Sequence, residues 1–264
     1  MLGAIIGDIV GSVYEFHNIR SKDFPLITEM SFPTDDTIMT LAVAKILQNG
    51  WQDDRLKVVE TFKKWGRTFP DAGYGGRFRW WLGSDSTVGY GSYGNGSAMR
   101  VSAVGWYATD EDEVKRLSKC VTEITHSHPQ GLLGAEVTAM CVFYARAGKS
   151  KEFIKKYAEQ YYDLNFNYED LVKNYKFNES CQGTVPQAIF CFLISENFED
   201  CLRTSISIGG DSDTLAAISC AIAEAYYKHI DEELVNSAIS LLPPPTGDCD
   251  AVEILKKFIE DNFE

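Results

Sequence analysis

Apolar residues recur three or four positions apart along most of the chain, which is the spacing of one face of an α-helix. The pattern is clearest in five segments, residues 38–48, 130–145, 186–195, 214–228 and 249–260. No convincing run alternates apolar and polar residues, as a half-buried strand would. The chain is therefore predicted to be all-α and to form one domain over residues 1–264.

Glycine and proline mark the breaks in this pattern. The glycine- and proline-rich stretches at 70–76, 83–97 and 243–247 are predicted loops, and the last of them precedes a closing helix. A proline in the first helical turn lacks only an N–H that has no helical partner, so His128-Pro129 and Thr184-Val185-Pro186 predict two helix starts.

The opening segment carries a glycine at every fourth residue, namely Gly3, Gly7 and Gly11. Each glycine costs a helix about 1 kcal/mol relative to alanine, so the repeat predicts a flat face in close contact with neighbouring helices. Beside this face lies a polar stripe of Asp8, Ser12 and Glu15. Because the other positions are almost all apolar, the stripe is predicted to face inward, although a solvated surface stripe is the ordinary alternative.

Composition favours a globular protein with a substantial core, since 45% of the 264 residues are hydrophobic. No stretch approaches the roughly 20 apolar residues of a membrane span. The start of the chain lacks the basic residues of a secretory signal. We therefore expect a soluble, cytoplasmic protein with no membrane partner. The seven cysteines are odd in number and include no Cys-x-x-Cys pair, so free thiols are expected.

The formal net charge of -13 bears on the class of partner. An extended nucleic-acid surface draws its affinity from Lys and Arg that neutralise phosphates, so this charge opposes one. A small local site for a nucleotide is compatible with it.

Two acidic motifs stand at predicted helix starts, Asp35-Asp36 before residue 38 and Asp211-Ser212-Asp213 before residue 214. Capping of free backbone N–H groups explains either motif taken alone. Two acids within three residues, at both starts, would repel unless a cation neutralises them, and such oxygen ligands suit Mg²⁺ or Mn²⁺. If the two starts meet in space, a two-metal centre is predicted. Zinc fits less well, because its sites usually take sulfur or imidazole.

Residues 83–100 are too rich in glycine and hydroxyl groups for a regular element. Such a loop lets backbone N–H groups approach a phosphate or a sugar, while Tyr90 or Tyr93 could stack on a base and Arg100 could neutralise charge. The loop matches neither the P-loop nor the dinucleotide-binding pattern, so a flexible surface loop is an equal alternative.

Together these motifs resemble the ADP-ribosylglycohydrolase family. The resemblance rests on five segments that occur in the family's order: Gly7 to Gly11 with Glu15, Thr34 to Thr37, Gly94 to Arg100, Thr125 to Pro129, and Gly209 to Thr214. It covers nearly the whole chain, although residues 74–93 do not align position by position.

The resemblance implies a compact orthogonal helical bundle that holds two Mg²⁺ or Mn²⁺ ions and cleaves the glycosidic bond of an ADP-ribosyl group. It implies six metal ligands, which are Thr34, Asp35, Asp36, Asp211, Asp213 and Thr214. It also places Glu15 close to the ribose, and it assigns ADP-ribose binding to Asn95, Gly96, Ser97 and His126. The expected partner is an ADP-ribosylated protein or a small-molecule conjugate of ADP-ribose.

In this scheme the metals hold the ribose hydroxyls and lower the pKa of an attacking water. Glu15, Asp36 and Asp211 are the predicted catalytic carboxylates. Either Glu15 or Asp36 can be the proton acceptor, and Glu15 is our hypothesis for the acid/base group. Two alternatives share part of this chemistry, a two-metal phosphoester hydrolase and a non-catalytic ADP-ribose-binding protein.

Overall fold

The computed structural model describes residues 1–262, which form helices and loops without a sheet. The all-α prediction is therefore confirmed. The helices are α1 Leu2–Gly11, α2 Asp35–Gln48, α3 Arg55–Thr68, α4 Gly76–Gly83, α5 Ser102–Tyr107, α6 Glu111–Thr122, α7 Pro129–Arg146, α8 Lys151–Ala158, α9 Tyr168–Asn174, α10 Cys181–Ile194, α11 Phe198–Ser207, α12 Ser212–Tyr227, α13 Glu232–Ser240 and α14 Ala251–Asn262. A single 3-10 turn, Asn95–Ser97, lies between α4 and α5.

Helix α12 lies at the centre of the fold. Every residue from Ser212 to Ala225 is buried, and the helix packs against α1, α7, α10 and α11. Its sequence fits this position, because alanine, serine and cysteine alternate with leucine and isoleucine around the whole helix, and a helix without a polar face belongs in a core.

The glycine face of α1 lies directly on α12, as its spacing predicts. A Cβ atom added to Gly7 would lie under 3.0 Å from the backbone of Ala216, and one added to Gly11 would lie under 3.0 Å from the backbone of Asp213. Gly3 meets Cys220 in the same way. The two backbones approach as closely as they do because no side chain separates them. The buried carboxylate of Glu224 on α12 then accepts hydrogen bonds from the first free N–H groups of α1, at Leu2 and Gly3.

Two local expectations are wrong. Helix α10 begins at Cys181, where Ser180 caps it, rather than at Thr184-Val185-Pro186, and Pro186 lies inside the helix. The cap at Ser180 and the buried contacts of Cys181 outweigh the hydrogen bond that the proline removes. Helix α1 ends at Gly11, so Glu15 lies in the following turn and not on a helical stripe with Asp8.

Several other expectations are confirmed. Helix α7 begins at Pro129 with His128 as its cap, and the 243–247 loop leads into α14. All seven cysteines carry free thiols. Within residues 1–262, every helix falls short of the length and apolarity that a membrane crossing requires.

The contact between α1 and α12 predicts a matched pair of stability effects. Gly7→Ala should lower the free energy of unfolding by about 3 kcal/mol, because the new Cβ forces two packed backbones apart. Gly83→Ala, at the open end of α4 with nothing within 4 Å of the added Cβ, should leave stability unchanged or raise it by up to about 1 kcal/mol. Urea unfolding of both variants checks this, and equal stabilities would contradict the close helix contact.

Candidate functional site

A cleft of about 560 Å³ opens at the starts of α2, α4 and α12, beside the glycine-rich loop. Every predicted site residue except Ser97 lines this cleft. Chain segments that are far apart in sequence therefore meet, which is the geometric condition on which the predicted two-metal centre depends.

The carboxylates at the base of the cleft form two overlapping groups. Oxygen atoms of Asp8, Asp36 and Asp213 lie within 4.8 Å of one another, and so do those of Glu15, Asp211 and Asp213. Asp213 belongs to both groups and joins them. Such a spacing suits a divalent cation held between carboxylate oxygens.

Helix capping does not account for these acids. Thr34 caps α2, since its hydroxyl accepts from the Asp36 N–H at 3.3 Å, and the side chain of Asp211 makes no cap bond at the start of α12. One buried oxygen of Asp36 and one of Asp213, Oδ1 in each, has no hydrogen-bond partner among the described residues. Buried carboxylate oxygens rarely lack a partner, so this pair of orphaned acceptors fits a site for cations.

The electrostatics of the carboxylate cluster also favour a bound cation. Burial, followed by the charge of Asp213, raises the pKa of Glu15 to about 8 and that of Asp35 to about 8. Burial, followed by the charge of Asp213, also raises the pKa of Asp36 well above its ordinary value. The charge of Asp213 raises the pKa of all three acids because like charges share a poorly solvated space. A divalent cation between them would remove this repulsion.

Asp8 anchors the start of α2 to α1. Its fully buried carboxylate accepts from the Thr34 N–H at 2.9 Å, the Thr34 hydroxyl at 2.6 Å and the Thr37 N–H at 3.0 Å. It also accepts a short hydrogen bond from the Thr37 hydroxyl. Four bonds hold one carboxylate, so Asp8 fixes the position of Asp35 and Asp36. The sequence analysis predicted that Asp8 faces inward, but it did not predict that Asp8 anchors the start of α2.

Neighbouring side chains orient the acids of α12 and α2. The Asn95 side chain donates to Asp211 Oδ2 at 2.7 Å and to the Thr184 hydroxyl at 3.1 Å. The Thr214 hydroxyl donates to Asp36 Oδ2 at 3.3 Å. Both side-chain N–H groups of Asn95 are thus used within the protein.

Ser97 is the predicted substrate residue that the fold turns away from the cleft. It is fully buried, and its hydroxyl donates to the Gly131 carbonyl at 2.8 Å. Only its backbone is left for the predicted substrate contact. Gly96 does face the cleft, and a Cβ added there would lie 3.3 Å from His126 Nε2.

His126 is held as a neutral imidazole. Burial, followed by the charges of Arg100 and Arg77, lowers its pKa well below the ordinary value. Arg100 donates to the Thr125 hydroxyl at 2.8 Å, and that hydroxyl lies 2.8 Å from His126 Nδ1. The Thr125 hydroxyl also lies 3.5 Å from the Thr122 carbonyl, so it can either donate to Nδ1 or accept from it. The other ring nitrogen, Nε2, faces Gly96.

Arg100, the residue that the loop sequence suggested for neutralising charge, does line the cleft. Its side chain is buried, it bonds to Thr125 and to the Val121 carbonyl, and it stacks on Phe62 with 4.6 Å to the ring centre. These contacts hold it inside the protein. Arg77 on α4 also lines the cleft, with its guanidinium 5.0 Å from the centre of the Tyr90 ring.

Two features of the cleft wall have no signal in the sequence patterns. Arg77 lies in the stretch where the resemblance does not align residues. An aromatic rim, formed by Phe16, Phe32 and Phe177, is exposed at the cleft, and the rings of Phe16 and Phe177 stack with centres 6.1 Å apart. Single exposed aromatic residues in loops are not part of any periodic pattern, so only the fold brings them together.

Comparisons with known proteins agree with one another. A family model described as ADP-ribosylglycohydrolase matches residues 1–239. The chain is 28% identical to the mouse (Mus musculus) ADP-ribosylhydrolase ARH3, over 86% of this chain and 82% of that protein. It is 26% identical to the ADP-ribosyl-dinitrogen reductase glycohydrolase of Rhodospirillum rubrum, over 86% and 83% of the two chains. A solved structure described as an ADP-ribosylglycohydrolase-related protein complex shares the fold, with a TM-score of 0.65 and 24% identity over 91% of this chain and 95% of that chain.

Because Asp8 anchors the start of α2, substitutions of two buried threonines on this helix should differ in their effect on the free energy of unfolding. Thr37→Val removes a donor to the Asp8 carboxylate and should lower the free energy of unfolding by about 2 kcal/mol, since hydrogen bonds to charged groups are the stronger ones. Thr40→Val, one turn later, loses only a bond of 3.4 Å to the Met99 carbonyl and should change stability by less than about 1 kcal/mol. Thermal unfolding measures both, and an equal loss would argue against a special role of Asp8.

The raised pKa values predict how stability depends on pH in chelator-treated protein. Glu15 and Asp35, with a pKa of about 8 in the folded state, bind protons more tightly folded than unfolded. The free energy of unfolding should therefore fall as pH rises from about 5.5 to about 8. Millimolar Mg²⁺ or Mn²⁺ should flatten the slope. Urea unfolding at four pH values, with and without the cation, measures it; a stability that rises over this range would contradict the assignment.

Proposed function

Because the chain belongs to the ADP-ribosylglycohydrolase family and is a glycohydrolase, we propose that it releases ADP-ribose from a modified acceptor with the help of two divalent cations. The observation that carries the proposal is the meeting of the α2 and α12 acids around buried, unpaired oxygens of Asp36 and Asp213. The substrate is an ADP-ribosylated protein or a small-molecule conjugate of ADP-ribose.

The residues fit two cations of the Mg²⁺ or Mn²⁺ class. Every donor in the set is a carboxylate or hydroxyl oxygen, and hard cations prefer such ligands. We assign the ligands to Thr34, Asp35, Asp36, Asp211, Asp213 and Thr214. When bound, the cations supply Lewis-acid polarisation and a fixed anchor for the ribose hydroxyls.

The two candidate proton acceptors have different surroundings. Asp36 is buried at the base of the cleft and accepts from Thr214, so its place suits cation binding. Glu15 is half-buried at the cleft wall, and the pKa of its carboxyl is raised by burial and by Asp213. A carboxyl that can hold a proton near neutral pH is suited to acid/base catalysis. We assign proton transfer to Glu15.

The other side chains of the cleft account for binding of ADP-ribose. His126 presents its Nε2, Asn95 offers an amide oxygen, and Gly96 leaves room for close approach of the substrate. Arg77 provides the positive charge for a phosphate, and Tyr90 beside it offers a ring face for stacking. These roles extend the predicted substrate set from the loop to α4.

A paired aspartate experiment tests the metal assignment. Asp36→Ala and Asp211→Ala should each lower turnover more than about 100-fold and leave the protein folded, because removing one like charge relieves repulsion in the cluster. Asp54→Ala is the matched control, since Asp54 starts α3 as an ordinary cap that accepts from Leu56 and Lys57. It should lose about 1 kcal/mol of stability and keep its turnover.

Chelation and product analysis complete that experiment. Activity should vanish in chelator-treated enzyme and return with Mg²⁺ or Mn²⁺. Release of free ADP-ribose supports the glycohydrolase, whereas AMP or inorganic phosphate would support a phosphoester hydrolase. Binding of ADP-ribose without turnover of any linkage would favour a non-catalytic binder. Full activity in either aspartate variant would overturn the ligand assignment.

A further inference from the structure

The side chain of Asn18 connects two turns that are 192 residues apart. Its Nδ2 donates to the Gly210 carbonyl at 2.9 Å, and its Oδ1 accepts from the Gly210 N–H at 2.8 Å. The same Nδ2 lies 2.7 Å from the Tyr14 carbonyl and 2.9 Å from the Glu15 carbonyl. One amide therefore holds the backbone of Glu15 and the backbone of the residue that precedes Asp211.

Both turns need such support. The Glu15 carboxylate lies among the like charges of Asp213 and Asp35, which would push it outward, and no hydrogen bond to this carboxylate is found in the described part of the chain. Gly209 and Gly210 have φ values of +68° and +78°, which is the left-handed region. The Gly209 N–H donates to the Ile206 carbonyl at 3.0 Å, whereas the N–H and the carbonyl of Gly210 are both bonded by the Asn18 side chain. A side chain that donates and accepts at once satisfies both turns.

Arg20, two residues after Asn18, also contacts the turn that contains Gly209 and Gly210. Its guanidinium donates to the carbonyls of Ile208, Val172 and Tyr175, and a Cβ added to Gly209 would lie under 3.0 Å from that guanidinium. The turn before Asp211 is thus enclosed by the segment that follows Glu15. The position of one acid cannot change without moving the segment that fixes the other.

We propose that Asn18 is a positioning residue, whose amide locks the Glu15 turn onto the Gly210 peptide and so sets the Glu15 carboxylate beside Asp211 and Asp213. The inference rests on the proposed function, because Asn18 acts through the proton-transfer role assigned to Glu15. Asn18 lies outside the residues that line the cleft, so it acts through Glu15 and not by touching substrate.

The test compares Asn18→Ala and Asn18→Asp with Lys22→Ala. Both Asn18 variants should lower kcat about 10- to 100-fold with little change in KM, because a misplaced reacting group costs rate more than binding. Asn18→Asp keeps the size of the side chain but places a carboxylate against the carbonyl oxygens of Tyr14, Glu15 and Gly210. This variant should therefore not restore the kcat of the wild-type enzyme. Lys22 ties the same segment to Asp200 at 2.7 Å without contact to either turn, and Lys22→Ala should keep kcat within about twofold.

A double-mutant cycle separates this role from general loosening of the segment. In a Glu15→Gln background, Asn18→Ala should lower kcat by less than about threefold, because the group it positions is already lost. The Mn²⁺ dissociation constant, measured by calorimetry, should stay within about threefold of the wild-type value in Asn18→Ala, because Glu15 is not one of the assigned cation ligands. Equal fold-losses in both backgrounds, or an unchanged kcat in Asn18→Ala, would overturn the inference. A wild-type enzyme that releases no ADP-ribose would instead overturn the proposed function.

Discussion

The close approach of α1 and α12 is the contact on which the rest of the structure depends. Gly3, Gly7 and Gly11 leave no side chain between the two backbones, so Asp8 near the start of the chain lies beside Asp213 near its end. Asp8 in turn holds the start of α2 through Thr34 and Thr37. A single helix contact therefore brings together acids from three distant segments, and the acids keep this arrangement because both helices are buried.

In this arrangement the clustered carboxylates repel one another when no cation is bound. Carboxylates that share a buried space raise one another's pKa, and such perturbed groups are typical of functional sites. The fold tolerates the repulsion because Asp8 receives four hydrogen bonds and Asp211 receives one from Asn95. The base of the cleft thus holds hydrogen-bonded acids, whereas its rim carries the exposed side chains of Phe16 and Phe177.

Much of the fold was predictable because helices produce a regular spacing of apolar residues in the sequence. The five long apolar segments, the proline at the start of α7 and the close glycine face of α1 follow from spacing and backbone sterics alone. Shorter surface helices such as α8 and α9 carry too few turns for a firm pattern. The start of α10 was misplaced for a related reason, since Pro186 is a strong local signal that the cap at Ser180 and tertiary packing override.

The sequence by itself predicted the chemistry proposed for the site, because acids doubled at two helix starts favour a bound cation. It also predicted which acids could hold that cation, among them Asp36 and Asp213. Only the tertiary structure decided that these acids meet, that the side chains of Ser97 and Arg100 are buried, and that Arg77 and Phe177 line the cleft. It also decided that Asn18 connects the Glu15 turn to Gly210. Side-chain direction depends on how elements pack, and residue spacing along one element carries no record of a partner almost two hundred positions away.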